Sequence, residues 1–166
     1  MIVAALAMLG ALAAACDLRW RRIPNWLTAG GFGLGLLLNY TAAGWPGLIE
    51  SLKGAALAFA IHLPLFALRA MGGGDVKLMT AIGALAGPAQ WLVIFAINAV
   101  LGGVLALLLA WRHGRLRQTL SNTGEILGSL SKAERPALDL DRAGAIMLPR
   151  GAVAAVAIAL WVISRL

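Results

Sequence analysis

Residues 90–111 read QWLVIFAINAVLGGVLALLLAW and contain no charged side chain. About 20 apolar residues, rising 1.5 Å each, cross the roughly 30 Å hydrocarbon core of a bilayer as an α-helix. Backbone N–H and C=O groups find no water there, so a helix that pairs them internally is the expected form. The stretch predicts a transmembrane helix.

Apolar runs of the same character recur along the chain. Its 166 residues are 61% hydrophobic and 13% charged, and the mean hydropathy is +0.86. Soluble domains carry about 25% charged residues. We therefore predict an all-α polytopic membrane helix bundle, a single domain over residues 1–166, with about six transmembrane helices. The stretches are Ile2–Cys16, Trp26–Ala43, Leu52–Leu68, Leu78–Ala86, Gln90–Trp111 and Ala145–Ile163.

The fourth stretch, Leu78–Ala86, is too short to cross a bilayer by itself. It must be extended by its flanks, be shielded by neighbouring helices, or re-enter the membrane without crossing it. The sequence leaves these three alternatives open.

Basic residues set the orientation of the predicted bundle, because Lys and Arg accumulate in cytoplasmic loops. With six spans, only Lys53 and Arg165 of the 14 basic residues fall on one side of the membrane. That side is therefore predicted to be external. Both termini and the turns Gly44–Glu50 and Gly87–Pro88 lie on it. The basic residues on the predicted cytoplasmic side are Arg19, Arg21, Arg22, Arg69, Lys77, Arg112, Arg115, Arg117, Lys132, Arg135, Arg142 and Arg150.

This topology accounts for the net charge of +7, so no nucleic-acid partner is expected. The run Ile2–Cys16 is expected to be a first membrane helix, because a cleaved leader would carry basic residues before its apolar part. The longest polar stretch, Arg112–Gly144, is predicted to be a cytoplasmic loop that can contact membrane lipid. Cys16 is the only cysteine, so neither a disulfide nor a cysteine-rich zinc site is expected, and no metal or cofactor is indicated.

Two of the seven acidic residues lie at the predicted cytoplasmic ends of membrane helices. Asp17 directly follows the first stretch, and Asp75 lies three residues before the fourth. A carboxylate at membrane depth costs about 2.5–3.5 kcal/mol on insertion, so such groups usually pair inside the bundle and serve a function. Two close carboxyl groups share a proton, which leaves one of them as a base toward water. The structural alternatives are a favourable first-turn charge for Asp75 and an interfacial ion pair for Asp17.

Several neighbouring residues also have two interpretations. The glycines before Asp75 permit positive φ, a tight turn, or the close approach of a backbone or substrate strand. Lys77 either acts on the carboxyl pair or substrate, or marks the cytoplasmic boundary. Asn25 is expected to cap the second helix. Within the spans, His62 is expected to be a hydrogen-bonded interior side chain, and two asparagines, Asn39 and Asn98, are expected to bond between helices.

Two motifs resemble those of the type IV prepilin peptidases, the GxGD intramembrane aspartyl peptidases. Residues 17–25, DLRWRRIPN, are similar to the segment around that family's first catalytic aspartate. Residues 72–78, GGGDVKL, resemble its second site, a GxGD signature followed by Lys-Leu. The resemblance implies that Asp17 and Asp75 are the catalytic pair of an aspartic endopeptidase.

A third, looser similarity is to a Pro-Tyr-Gly-like segment before the last helix of relatives. Here the segment is Leu148-Pro149-Arg150-Gly151, with Arg150 in the place of the aromatic residue. A Pro and Gly kink at a helix start is an alternative interpretation. The residues expected to bind substrate or shape the site are Gly72, Gly73, Gly74, Lys77, Pro24, Asn25, Pro149 and Gly151.

The resemblance implies cleavage of the short basic leader of a prepilin or pseudopilin at the cytoplasmic face of the bacterial inner membrane. Full-length members also methylate the new N-terminus, but this chain lacks their paired CxxC motifs, so methyltransferase activity is not expected. Its length most resembles the compact peptidases of tight-adherence (Flp) pilus systems. The alternative is a small transporter subunit whose Asp17 and Asp75 bind protons or cations. The sequence does not indicate an oligomeric state.

Overall fold

The computed structural model describes residues 1–67, 71–112 and 150–164, and within them all regular structure is α-helical. Pro149 and nearly all of the predicted loop Arg112–Gly144 lie outside these residues. The all-α prediction is confirmed. The helices are α1 (Ile2–Trp20), α2 (Asn25–Ala67), α3 (Gly73–Arg112) and α4 (Arg150–Ile163).

Three helical stretches within this described part are long and apolar enough to cross a membrane. They are Ile2–Trp20, Asn25–Ala67 and Gly73–Leu109. The helix α4 is apolar but shorter. In the described residues the six predicted spans are therefore not six separate helices, because α2 and α3 each combine two of the predicted stretches.

Both α2 and α3 turn sharply at a glycine. Gly44 has φ 62° and ψ −143° within α2, and Gly87 has φ 73° and ψ 171° within α3. Residues with a Cβ rarely adopt such a backbone conformation. A proline follows each glycine, at Pro46 and Pro88, and the first turn of a helix tolerates proline because its N–H groups have no partner within the helix. These glycines lie at the two turns that the sequence predicted.

The turns make α2 and α3 helical hairpins. A Cβ on Gly47 would overlap the carbonyl oxygen of Asn39, although residues 39 and 47 would lie about 12 Å apart along a straight helix. In α3, Asp75 and Gly102 line one cavity, although a straight helix would separate them by about 40 Å. Each hairpin therefore has two antiparallel arms: residues 25–43 and 45–67 in α2, and residues 73–86 and 88–112 in α3.

The arm 73–86 lies at the centre of the bundle. Val76, Leu78, Met79 and all of residues 81–85 are buried. This arm extends for only about 21 Å, less than the roughly 30 Å of the hydrocarbon core. Of the three alternatives for the short fourth stretch, the burial of most of residues 78–86 favours the shielded one, while Lys77 near the start of the arm stays exposed.

Glycines allow the arms of α2 to approach this central arm closely. Gly54 and Gly83 face each other so tightly that a Cβ on either would overlap the carbonyl oxygen of the other. A Cβ on Gly35 would lie 2.8 Å from the carbonyl carbon of Ala84. Small residues at helix contacts are the usual means of packing in membranes, because a hydrophobic driving force between helices is missing there.

Polar side chains bind the same part of the central arm. Asn39 Nδ2 donates hydrogen bonds to the carbonyl oxygens of Ala84 at 3.1 Å and Leu85 at 3.2 Å, and Ser51 Oγ donates to that of Ala84 at 2.6 Å. The predicted interhelical role of Asn39 is confirmed. Both arms of α2 are therefore held to one turn of α3.

The interior also contains His62, which is 2% exposed. Its Nδ1 lies 2.9 Å from the carbonyl oxygen of Ala58, and its ring meets Trp91 and Phe95 edge-on, with centroids 5.8 and 5.4 Å away. The prediction of a hydrogen-bonded interior histidine is confirmed. On the other side of the bundle, α1 packs antiparallel to α4, and a Cβ on Gly10 would lie 3.0 Å from Ile158 Cδ1.

We predict that Gly54→Ala destabilises the bundle, because the added methyl group would meet backbone, which cannot move aside as a side chain can. Overpacking of a core typically costs about 1–3 kcal/mol, and a backbone collision should lie at the upper end. Gly33→Ala is the matched control, since a Cβ there meets nothing within 4 Å. Thermal unfolding in detergent should give a lower midpoint for Gly54→Ala alone. Equal midpoints would contradict the close approach of Gly54 and Gly83.

Candidate active site

Three acidic residues, Asp17, Glu50 and Asp75, belong to the described part of the chain. Glu50 is exposed near the Gly44 turn, and its carboxylate binds Lys53 Nζ at 2.9 Å. Asp17 and Asp75 are half-buried and lie at the opposite end of the bundle. The two carboxylates singled out from the sequence are thus on one side of the molecule.

Asp17 occupies the last turn of α1. The helix ends because Arg21 adopts a left-handed conformation, with φ 50° and ψ 31°, and its N–H donates to the carbonyl oxygen of Asp17 at 2.9 Å. The side-chain Oδ2 of Asp17 accepts a hydrogen bond of 2.8 Å from the backbone N–H of Gly151. Among the arginines that follow, Arg19 lies over the ring of Trp20, 5.7 Å from its centroid. A backbone amide, and not an arginine, is the described partner of this carboxylate.

Gly151 is the second residue of α4, and its position explains that hydrogen bond. The first N–H groups of a helix have no partner within the helix, and they form its positive end, where a carboxylate is favoured. A Cβ at Gly151 would lie 2.9 Å from Asp17 Cβ and 3.0 Å from the carbonyl oxygen of Ala13. Glycine is therefore required for α4 to approach Asp17 this closely.

Asp75 lies in the first turn of α3, where the positive end of the helix dipole favours a negative charge. Its backbone N–H donates to the carbonyl oxygen of Gly72 at 3.1 Å. The positive-φ glycines of the described chain are Gly44 and Gly87, so the interpretation of Gly72, Gly73 and Gly74 by positive φ is wrong.

The glycines before Asp75 instead leave space around it. A Cβ at Gly72 would lie 3.7 Å from Asp75 Oδ2, and one at Gly73 would lie 3.3 Å from Phe66 Cε2. A side chain at Gly72 would therefore lie beside the carboxylate, whereas one at Gly73 would press against the Phe66 ring. Close approach, the other interpretation of this segment, fits these contacts.

The two motif segments contact each other directly. A Cβ at Gly74 would lie 3.6 Å from Ile23 Cβ. Lys77 Nζ donates a hydrogen bond of 2.9 Å to Asn25 Oδ1, and both side chains are exposed. Asn25 was expected to cap α2, but its side-chain oxygen is used by Lys77, while the carbonyl oxygen of Pro24 accepts the N–H groups that begin the helix. A contact between residues 52 positions apart leaves no local signal in the sequence.

A cavity of about 240 Å³ lies beside Asp75. Val153 of α4 lines it, two residues after Gly151, so the start of α4 borders both Asp17 and the Asp75 cavity. Asn98 also lines it and was assigned in the sequence only to interhelical bonding. The signal that could have found it is a polar residue within an otherwise apolar stretch. The lining residues are Met71, Asp75, Leu78, Met79, Asn98, Ala99, Gly102, Gly103, Ala106 and Val153.

This end of the bundle thus combines two half-buried carboxylates, an amide donor and a cavity. Over residues 1–67, 71–112 and 150–164, no group of three or more His, Cys, Asp or Glu side chains is placed to hold a metal ion. The chemistry that these groups offer is proton transfer between carboxyl groups and a polar ligand.

We predict that cysteines at Ile23 and Gly74 form a disulfide. The 3.6 Å between the two Cβ positions falls within the 3.5–4.5 Å typical of disulfides. Cys16, the native cysteine, is first changed to alanine. Mild oxidation of Cys16→Ala/Ile23→Cys/Gly74→Cys should protect both thiols from a mass-tagged maleimide, detected as a missing gel shift. Ile23→Cys paired with Ala43→Cys is the control, since Ile23 lies just before the arm 25–43 and Ala43 lies at its far end. Full tagging of the first pair would contradict the contact.

The chain matches the type IV leader peptidase family over residues 4–107. No curated protein and no solved structure gives a significant match. The matched range contains both Asp17 and Asp75 with the segments around them. The chain therefore belongs to the type IV leader peptidase family.

Proposed function

We propose that this membrane-embedded leader peptidase hydrolyses one peptide bond of a prepilin or pseudopilin, with Asp17 and Asp75 as its catalytic pair. One observation supports this pairing above the others. The segments that carry the two half-buried carboxylates contact each other at one end of the bundle, through Ile23 with Gly74 and through Lys77 with Asn25. The family supplies the reaction class, and this contact favours the pair.

The proposed reaction uses a water molecule as the nucleophile. The ionised carboxylate of the pair draws a proton from that water as its oxygen attacks the scissile carbonyl. The protonated carboxylate polarises the carbonyl and then supplies a proton to the leaving amine. The pair titrates as a unit, so the two roles are assigned to Asp17 and Asp75 together.

The neighbouring residues act as positioning groups in this proposal. The Gly151 N–H holds one oxygen of Asp17, which fixes the orientation of that carboxylate. The Lys77–Asn25 hydrogen bond joins the start of α2 to the first turn of α3, which carries Asp75. Gly72, where a Cβ would lie 3.7 Å from Asp75 Oδ2, leaves the approach to Asp75 open to an extended substrate.

The helices α1 and α4 and the four arms of α2 and α3 are proposed to cross the bacterial inner membrane one by one, with the carboxylates at the cytoplasmic face. The exposed Arg19, Arg21 and Arg22 at that end support this orientation, because basic residues are retained on the cytoplasmic side. The large apolar side chains exposed on the outer faces of the arms, for example Leu37 and Phe59, would contact lipid.

We propose a small Flp-type prepilin as the substrate, on the resemblance of the chain to the peptidases of tight-adherence pilus systems. The whole chain acts as one peptidase domain.

Asp17→Asn and Asp75→Asn are each predicted to abolish leader removal from a co-expressed prepilin. Asparagine keeps the shape of aspartate but can neither act as a base nor share the proton. General acid–base groups typically contribute about 10²–10⁴-fold, so processing should fall below detection on a gel that separates the precursor from the mature pilin. Glu50→Gln, at the opposite end, is the control and should process normally. Continued cleavage by either aspartate variant, at equal abundance, would refute the pair.

Labelling of single cysteines tests the proposed orientation. In a Cys16→Ala background, Glu50→Cys should react with a membrane-impermeant maleimide in intact spheroplasts, because the Gly44 turn is proposed to be external. Arg22→Cys should react only after the membrane is permeabilised. Both side chains are exposed in the structure, so burial does not limit either reaction. The reverse pattern would invert the topology.

A further inference from the structure

We propose that Asn98 is a substrate-binding residue, whose Oδ1 accepts a hydrogen bond from a main-chain N–H of the peptide segment bound beside Asp75. The inference rests on the proposed peptidase function and extends it to a residue that neither aspartate motif contains. It is carried by the position of Asn98, by its unpaired oxygen and by the chemistry of the cavity walls.

Asn98 lies in the second arm of α3, and the Gly87 turn brings it back against the first arm. It lines the same cavity of about 240 Å³ as Asp75. The two residues are 23 positions apart in sequence, and they share one cavity only because the arms are antiparallel. A group bound in this cavity therefore lies beside both residues.

The side-chain oxygen of Asn98 makes no hydrogen bond in the described chain. Less than 1 Å² of Oδ1 is exposed, and no hydrogen-bond partner for it occurs in residues 1–67, 71–112 and 150–164. Buried polar atoms are nearly always hydrogen-bonded, because burial without a partner is unfavourable, so the exceptions call for an explanation. An acceptor that is unpaired beside a catalytic carboxylate is explained if a ligand supplies the donor.

Asn39 shows what a structural asparagine looks like in this bundle. Its Nδ2 donates to the carbonyl oxygens of Gly35, Ala84 and Leu85 at 2.9, 3.1 and 3.2 Å. Asn39 thus joins two helices, as the sequence predicted. Asn98 was also predicted to bond between helices, but its Oδ1 makes no hydrogen bond in the described residues.

The walls of the cavity favour a peptide main chain as the source of the donor. Apart from Asp75 and Asn98, the lining side chains are apolar or absent, so a peptide N–H that enters has few acceptors. A Cβ on Gly103 would meet nothing within 4 Å, and one on Gly102 would meet only Val153 Cγ1 at 4.0 Å. These glycines leave open space where a side chain would stand. The volume lies just below the usual range for ligand pockets, which suits a short segment of chain.

Asn98→Leu tests the inference, because leucine keeps the size of the side chain and removes its acceptor. The assay uses the purified full-length chain in detergent and a synthetic prepilin peptide that spans the cleavage site. We expect kcat/KM to fall about tenfold, as for one lost hydrogen bond to a buried group. The thermal unfolding midpoint should stay the same or rise. Asn39→Leu is the matched control, and its midpoint should fall because its interhelical bonds are lost.

Peptides in which one backbone amide is replaced by an ester identify the donor. An ester keeps the chain geometry but has no N–H. At one position near the cleaved bond, the wild-type chain should lose about tenfold in kcat/KM. At that position Asn98→Leu should lose nothing further, because its acceptor is already absent.

Three results would each overturn the inference. They are an unchanged kcat/KM for Asn98→Leu, a fall of its midpoint like that of Asn39→Leu, and an ester penalty that persists in Asn98→Leu at every position. If the wild-type chain cleaves the unmodified peptide, any of these three results contradicts the role of Asn98 and leaves the proposed peptidase function standing. If the wild-type chain does not cleave the peptide, the peptidase proposal falls and the role of Asn98 falls with it.

Discussion

The enclosure of one short helical arm is the constraint on which the rest of this bundle depends. Residues 73–86 extend for about 21 Å, too little to match the hydrocarbon core alone. A short arm within the membrane is tolerated where protein surrounds it. The surrounding helices must therefore come close, which they do through Gly54 against Gly83 and through the hydrogen bonds of Asn39 and Ser51 to one turn of the arm.

The same enclosure places the chemistry. Because the arm is central, its N-terminus, where Asp75 lies, is bordered by the other helices at that end of the bundle. The segment after α1 reaches it through Ile23, α2 begins beside it at Asn25, and α4 passes both Asp17 and the Asp75 cavity. A carboxylate at the start of a buried helix is favoured by the helix dipole, so Asp75 can be held in a partly apolar site without disrupting the fold.

Polar groups inside the bundle divide into those that hold it together and those that a substrate could use. Asn39, Ser51 and His62 all make described hydrogen bonds to carbonyl oxygens and contribute to packing. The oxygen of Asn98 is buried without such a partner, in a cavity that also contains Asp75. Residue type alone does not separate these roles, since both asparagines lie within apolar stretches. The separation depends on what lies opposite each side chain.

The sequence by itself determined the all-α class, the turns at Gly44 and Gly87, and the two aspartates as the residues to examine. These features are encoded locally, by long apolar runs, by Gly and Pro where the backbone must turn, and by charge where most neighbours are apolar. Only the tertiary structure decided that the arm 73–86 is shielded, that Asn25 binds Lys77 and that Gly151 donates to Asp17. Those contacts join residues far apart in the chain, and helix packing, which carries no local signature, brings them together.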